Sequence, residues 1–448
     1  MRLPDAIYTY ARQALKRLVE IPSVSAEARG LPEAAALVTE LLAELGARTE
    51  LHTTAGAPVV YAEHPPQPGR PTILFYNHYD VQPAAPLEEW RTEPFRLTEK
   101  DGVWYGRGVS DDKGELVSRL AALKWYRDEH GSLPFGFKFV VEGEEEVGSP
   151  NLRQYVEENA ALLEADGCIW EFGGVTATGA PMTYFGLKGI VCLELSVRTA
   201  GHDLHSSLGA VVENPIYRLA RALTSLRDDT GHVLVEGFYD DVVALTPTEE
   251  RLLEALPDEA SELAAVYGVD GYLGGVTGVE FQRVLLTEPN VNYNGFTSGY
   301  DGPGSKTVLP ATASAKLDLR LVPRQDPAKV MAALRAHLDK LGFADVRMIE
   351  LETSEFAARS DADHPFVRAT IDALRETYGV EPVVYPNSAG SGPMHPFLEQ
   401  VGLPVVGLGC SHPGSRAHSP NENVRISDFA SSVTATKRLF ELFGGLPD

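Results

Sequence analysis

The chain has 448 residues, 44% hydrophobic and 23% charged, the make-up of an ordinary globular protein with room for two or three domains. Sixty-three acids against thirty-nine Lys and Arg residues give a formal charge of −24, whose field repels nucleic acid and anionic membrane alike. The cysteines Cys168, Cys192 and Cys410 are too scattered for a disulfide framework or a paired-cysteine metal site, so any metal must be held by His and carboxylate.

No apolar run nears the ~20 residues that cross a bilayer, and the opening "MRLPDAIYTYARQ" lacks a signal-peptide core, which predicts a cytoplasmic protein. Helical periodicity runs through 5–20 and 31–46, the second stopped by Gly46. Strands are predicted at 58–64, 72–77, 136–141 and 167–172, with helices at 115–131 and 151–165 among them. That alternation predicts an α/β sheet covered on both faces, with ligands gathering beyond the carboxyl ends of its strands. The pattern then changes: 190–199 and 314–322 alternate apolar and polar residues like half-buried antiparallel strands, and helices at 215–226 and 327–342 are interposed. The stretch 227–306, richer in Gly, Asp and Thr, yields no clear boundaries. Segment 381–409 and a closing helix at 428–444 return to α/β patterning. The expectation is a first domain split into 1–187 and 354–448, with an α+β domain inserted at 188–353.

Carboxylates and imidazoles stand just past the predicted strands. His78 and Asp80 in "HYDVQP" are two apart, which on a strand puts them on one face; they read as a metal-ligating imidazole with the carboxylate that orients it, or as an ordinary strand-end histidine. In "GRGVSDDKGELVSRL", one Asp suffices to cap the coming helix, and Asp111 and Asp112 side by side would raise each other's pKa unless a cation neutralised them. "FKFVVEGEEEVGSP" drives an apolar run into four carboxylates, either a solvated acidic loop or a cation site, with Glu142 and Glu144 read as solvated. Glu171 in "CIWEFGG", and His412 and His418 in "CSHPGSRAHSPNENV", complete the series. His205 in "GHDLHSSLG" reads as a helix-capping residue, and Arg320 as a partner for its same-face neighbour Asp318. Five strand ends offering His, Asp or Glu suit zinc, manganese or cobalt, and two ions sharing one bridging carboxylate would neutralise much of the charge.

The succession "HYDVQP", "GRGVSDDKG", "EGEEEVGS", "WEFGG", "DLHSS" and "AHSPNE" resembles, over nearly the whole chain, the metallopeptidase family of carboxypeptidase G, aminoacylase, acetylornithine deacetylase and carnosinase. The wording is closest to the carnosinase-like dipeptidase branch. The resemblance implies an α/β fold in which the split domain is catalytic, a mixed sheet covered by helices, and the α+β insert serves as lid and dimerisation domain. It implies two divalent ions, zinc with manganese or cobalt as alternatives. His78, Asp111 and Glu171 would hold one, and Asp111 would bridge to the other on Glu146 and His418. Asp80 would orient His78, Glu145 would be the general base, and the Asp111–Asp112 peptide would be cis. His205 would reach the oxyanion, often from a partner subunit, and Arg320, Thr307 and Ser391 would bind a substrate carboxylate. The implied activity is hydrolysis of dipeptides or short peptides by a homodimeric exopeptidase. An N-acyl-amino-acid deacylase and a catalytically silent metal-binding protein are the alternatives. One departure bears on substrate class: carnosinase-like aminopeptidases carry Asp where this chain has Glu171, whereas the family's deacylases and carboxypeptidases carry Glu.

Overall fold

A strand buried on both faces has no polar side to alternate with, and Thr72–His78 and Gly136–Glu142 read that way. In the computed structural model, which describes residues 2–351 and 354–444, they run parallel at the centre of a six-stranded sheet, all buried except Thr72 and Lys138. The order is Arg48–His52, Val59–His64, Gly136–Glu142, Thr72–His78, Gly167–Trp170 and Val405–Gly407. The first two strands are antiparallel and the last four parallel, so four carboxyl ends emerge along one edge.

Lys113–His130 is the central helix, packed against Asp5–Val19 and Ile426–Leu442, and every residue from Lys113 to Leu123 is buried. Burial leaves no solvent for the charges of that first stretch, Lys113, Glu115 and Arg119, so each is partnered internally. Lys113 Nζ donates to the carbonyls of Leu18 (2.9 Å) and Ile21 (2.8 Å) at the end of the first helix, and burial holds its ammonium down to about 7. Arg119 donates to Glu115 Oε2 (2.8 Å) and to the carbonyls of Glu171 (3.2 Å), Trp170 (3.3 Å) and Leu408, while Glu115 Oε1 accepts the Cys410 N–H (2.6 Å). One buried ion pair thus ties two parallel strand ends to the central helix. The helix expected at 151–165 is two pieces, Leu152–Glu158 and Ala160–Leu163, divided where Asn159 donates its amide to the Tyr155 carbonyl.

The chain divides into two compact units, one of Met1–Gly186, Arg359–Pro386 and Pro393–Asp448, the other of Leu187–Ala358 and Asn387–Gly392. The boundary expected at Thr353 lies outside the described residues; the division falls at Ala358/Arg359, inside the short strand Ala358–Arg359 that pairs with the long strand Gly186–Arg198. Ser388–Ser391 pairs with that strand too, which carries Ser391 into the second unit. There an antiparallel sheet runs Asn290–Ser298, Thr312–Leu321, Gly186–Arg198, Arg347–Glu350. Val191, Leu193, Leu195 and Val197 face Leu219, Leu334 and Leu338 of helices Pro215–Thr224 and Pro327–Lys340, and Cys192, Glu194 and Ser196 alternate with them half-buried. The stretch 227–306 holds three α-helices, the first, Pro247–Glu254, started by a capping box of Thr246 and Glu249. Among the described residues, no helix is long and apolar enough to cross a membrane.

Arg119→Met leaves Glu115 buried without its cation and three strand-end carbonyls without a donor. We expect a loss of about 3–5 kcal/mol in urea unfolding, recovered only in part by adding Glu115→Leu. A loss below about 1 kcal/mol would show that the strand ends are held by other means.

Candidate metal centre

Each of the four parallel strands delivers a donor at its carboxyl end. His78 closes one strand, Glu171 follows Trp170, Glu145 and Glu146 sit in the turn Glu145–Val147 after Glu142, and the chain beyond Gly407 runs to His418. Asp111 comes from the turn before the central helix. In that turn Gly108 takes φ +88°, with the Val81 and Lys113 side chains packed where a Cβ would stand, a conformation that only glycine fits.

The two aspartates there have separate partners, and neither caps the helix with its side chain. Asp111 Oδ1 lies 3.0 Å from His78 Nε2 and Oδ2 lies 2.9 Å from His418 Nε2, so its two oxygens face two imidazoles. Asp112 Oδ2 accepts from Asn77 Nδ2 (2.7 Å) and from the His78 N–H (2.9 Å). The peptide joining the two is cis. His78 Nδ1 lies 3.1 Å from the Asp80 carbonyl and 3.3 Å from Asp80 Oδ1, and the Asp80 carboxylate also accepts the N–H groups of Glu145 (3.3 Å) and Glu146 (3.1 Å). Glu146 Oε2 lies 3.0 Å from His418 Nε2 and accepts from Gln82 Nε2 (2.9 Å).

His78, Asp111 and Glu146 each turn a ligand atom into one region, all within 4.8 Å of one another, and His78, Asp112 and Glu171 do the same. Asp112 in the second set is already engaged by two N–H donors, which leaves Asp111 as the aspartate with oxygens turned to the imidazoles. Glu171 Oε2 is buried, 3.8 Å from His78 Nε2, and has no hydrogen-bond partner among the described residues, a position costly for a carboxylate oxygen unless a cation meets it. A set made only of imidazole nitrogens and carboxylate oxygens fits zinc, manganese or cobalt.

Burial pushes Glu171 well above the usual carboxylate range, and the nearby Glu145 adds to it. Burial likewise lifts Glu145 to about 8, with His78 pulling the other way and Asp111 and Glu146 adding repulsion. Burial would raise Asp111 too, but hydrogen bonds from His418 and His78 hold it well below its ordinary value. Hydrogen bonds to Asp111 and Glu146 take exposed His418 up to about 10. The Glu145 carboxylate, half-buried, accepts no hydrogen bond among the described residues.

Glu142 corrects an expectation. It is buried rather than solvated, it accepts from Tyr76 (2.6 Å) and Ser149 (2.8 Å), and burial lifts it to about 7. His412 is held by Asn423 Oδ1 (3.1 Å) and the Gly414 N–H (3.0 Å), outside the cluster. Four predicted residues belong to the second unit. His205 is exposed, and its Nδ1 accepts the Ser207 N–H (3.2 Å) as the cap of the short helix Ser206–Ala210. Thr307 is exposed and its carbonyl accepts the Ser206 N–H (3.1 Å). Arg320 donates to Ser391 Oγ (2.8 Å) and lies 3.5 Å from Asp318 Oδ2.

Sequence reasoning missed Glu422 and Arg107, a buried pair 2.7 Å apart, and Gln82 beside Glu146. The only sequence signal was that Glu422 ends the quoted "AHSPNE" and Arg107 sits between the glycines of "GRG".

Residues 74–442 match the family described as Peptidase family M20/M25/M40. The chain is similar to the Beta-Ala-His dipeptidase of Homo sapiens, 30% identical over 374 residues that cover 82% of this chain and 74% of that one. The Cys-Gly metallodipeptidase dug1 of Schizosaccharomyces pombe is 28% identical over 445 residues, covering 94% and 92%. Among solved structures, the M20 family metallo-carboxypeptidase Sso-CP2 from Sulfolobus solfataricus superposes with a TM-score of 0.88 at 38% identity, covering 99% of this chain and 100% of the other. With its cluster of histidines and carboxylates at the carboxyl ends of a parallel sheet, the chain belongs to the M20 family of metallopeptidases.

Proposed function

We propose that the chain hydrolyses the amide bond of dipeptides or short peptides as a two-metal exopeptidase. The observation that carries this reading is Asp111, whose two oxygens face separate imidazoles, beside Glu145, whose carboxylate accepts no hydrogen bond among the described residues. His78, Asp111 and Glu171 would hold one divalent ion, and Asp111, Glu146 and His418 the other, with zinc favoured and manganese or cobalt as alternatives. When bound, such ions supply positive charge that polarises an amide carbonyl and makes water more acidic.

Glu145 takes the proton of the attacking water and returns it to the leaving amine, a task suited to an acid raised toward neutrality by burial. Asp80 accepts the Nδ1–H of His78 and so would leave Nε2, which faces Asp111 and Glu171, to serve as the ligand atom once an ion is bound. Arg320 is paired with Ser391 and presents a planar fork apt for a substrate carboxylate, with Thr307 as a further contact. His205 would add a donor for the oxyanion, within a cytoplasmic homodimer.

A second reading has specific support. Glu171 stands where dipeptidases of the carnosinase-like branch carry Asp, and a metallo-carboxypeptidase is 38% identical to this chain. Carboxypeptidase or N-acyl-amino-acid deacylase activity would use the same residues on a blocked substrate.

Glu145→Gln should lower turnover roughly 10²- to 10⁴-fold while metal content, measured on the purified protein, stays at the wild-type level. Undiminished turnover removes Glu145 from its assigned role, and an inactive wild type that binds metal makes the chain a silent binder. A panel of free dipeptides and their N-acetylated counterparts should show faster cleavage of the free set, abolished by a chelator and restored by adding the ion back. Cleavage of the blocked set alone would favour the second reading.

A further inference from the structure

Glu422 lies four residues beyond His418, wholly buried and outside the candidate ligands. Its Oε1 accepts the N–H groups of Ser110 (2.9 Å) and Asp111 (3.0 Å), and its Oε2 accepts the Gly108 N–H (2.9 Å) and Arg107 Nη1 (2.7 Å). The Glu422 carbonyl accepts the Gly106 N–H (3.2 Å) as well. One residue therefore fastens the whole 106–111 turn to the loop that carries His418. The further ties are fewer. Ser110 and Ser411 share a hydroxyl contact of 3.1 Å, and Arg107 reaches the Pro83 carbonyl (3.2 Å) in the segment after His78.

The carboxylate is chemically specific to this place. All four donors are N–H groups and each oxygen takes two, so an isosteric amide would point its own N–H₂ at one pair and leave those donors buried without acceptors. The Asp111 N–H is one of the four, and that residue's Oδ2 meets His418 Nε2 at 2.9 Å. His418 itself sits at φ +61°, which L side chains seldom adopt, so its loop must hold it there.

We propose that Glu422 is a positioning residue that sets the separation of Asp111 and His418, and through it the affinity for the cation the two share. The inference rests on the ligand roles proposed above for those residues. A buried carboxylate that merely stabilised the fold would change the unfolding of the metal-free protein and leave the affinity of the folded state alone.

The test uses the full chain, stripped of metal and titrated with Co²⁺, whose visible absorption reports ligand geometry, with a competing chelator to fix the affinity. In a Glu422→Gln protein that unfolds cooperatively, one Co²⁺ should bind about 10–100-fold more weakly with an altered band. Arg107→Lys keeps three of the four N–H bonds and should stay close to wild type. Glu422→Asp keeps the charge but loses reach, so it should fall between, and it carries the test if the Gln variant does not fold. Wild-type affinity and an unchanged band in a folded Glu422 variant would overturn the inference and leave the proposed function standing. A wild-type chain that binds no Co²⁺ would overturn both.

Discussion

Like charges brought to one edge of a sheet must each find a different partner, or the edge will not close. Asp80, Asp111, Asp112, Glu145, Glu146 and Glu171 all gather around His78, most of them out of water. Hydrogen bonds to an ionised acid favour it, and burial alone disfavours it. The chain directs its N–H donors to some acids and not to others. Asp80 receives two backbone N–H groups, Asp112 an amide and a backbone N–H, and Glu422 four donors. Asp111, Glu146 and Glu171 face imidazoles, and the Glu171 oxygen that does so, 3.8 Å from His78 Nε2, accepts no hydrogen bond among the described residues. These three, which receive no backbone N–H on their carboxylates among the described residues, are the acids whose charge the proposed ions would meet.

Two buried ion pairs frame that edge, and they serve opposite backbone groups. Arg119, braced by Glu115, donates to carbonyls at the ends of two parallel strands; Glu422, braced by Arg107, accepts the N–H groups of the turn that carries Asp111. A buried pair often stabilises no more than well-packed apolar residues would. What it offers here is satisfaction of backbone groups that an apolar side chain leaves unbonded. The pairs specify where the strand ends stop, and thereby where Glu171 and Asp111 begin.

Much of the frame was legible locally. The apolar runs at the heart of Thr72–His78 and Gly136–Glu142, the second interrupted only by Lys138, announce strands buried on both faces, and the strict alternation after Ile190 announces a sheet with one half-wet face. The capping box at Thr246–Glu249 is written as "TPTEE", but the weak periodicity around it hides the helix it starts. What no local pattern reveals is the fate of an individual acid. Glu142 reads as a loop residue, yet it is buried because Tyr76, 66 residues earlier, donates to it. Asp111 and Asp112 are indistinguishable as letters; Asn77 and His418 separate them. His205 is the reverse case. Its local reading as a cap is what the structure displays, and its part in chemistry rests on resemblance.

The adjacent Glu145 and Glu146 follow from the same logic. They stand in a single turn of three-residue helix, where consecutive side chains diverge by about 120°. Glu146 is drawn to Gln82 and His418, whereas the Glu145 carboxylate meets no donor among the described residues and is lifted by burial to about 8. A ligand needs its charge committed, and a base needs a proton affinity near that of its surroundings. Asp80 links the two tasks, since it holds the His78 ring and also both N–H groups of that turn. The backbone of Glu145 therefore cannot shift relative to the His78 ring without breaking a bond to Asp80, which holds both.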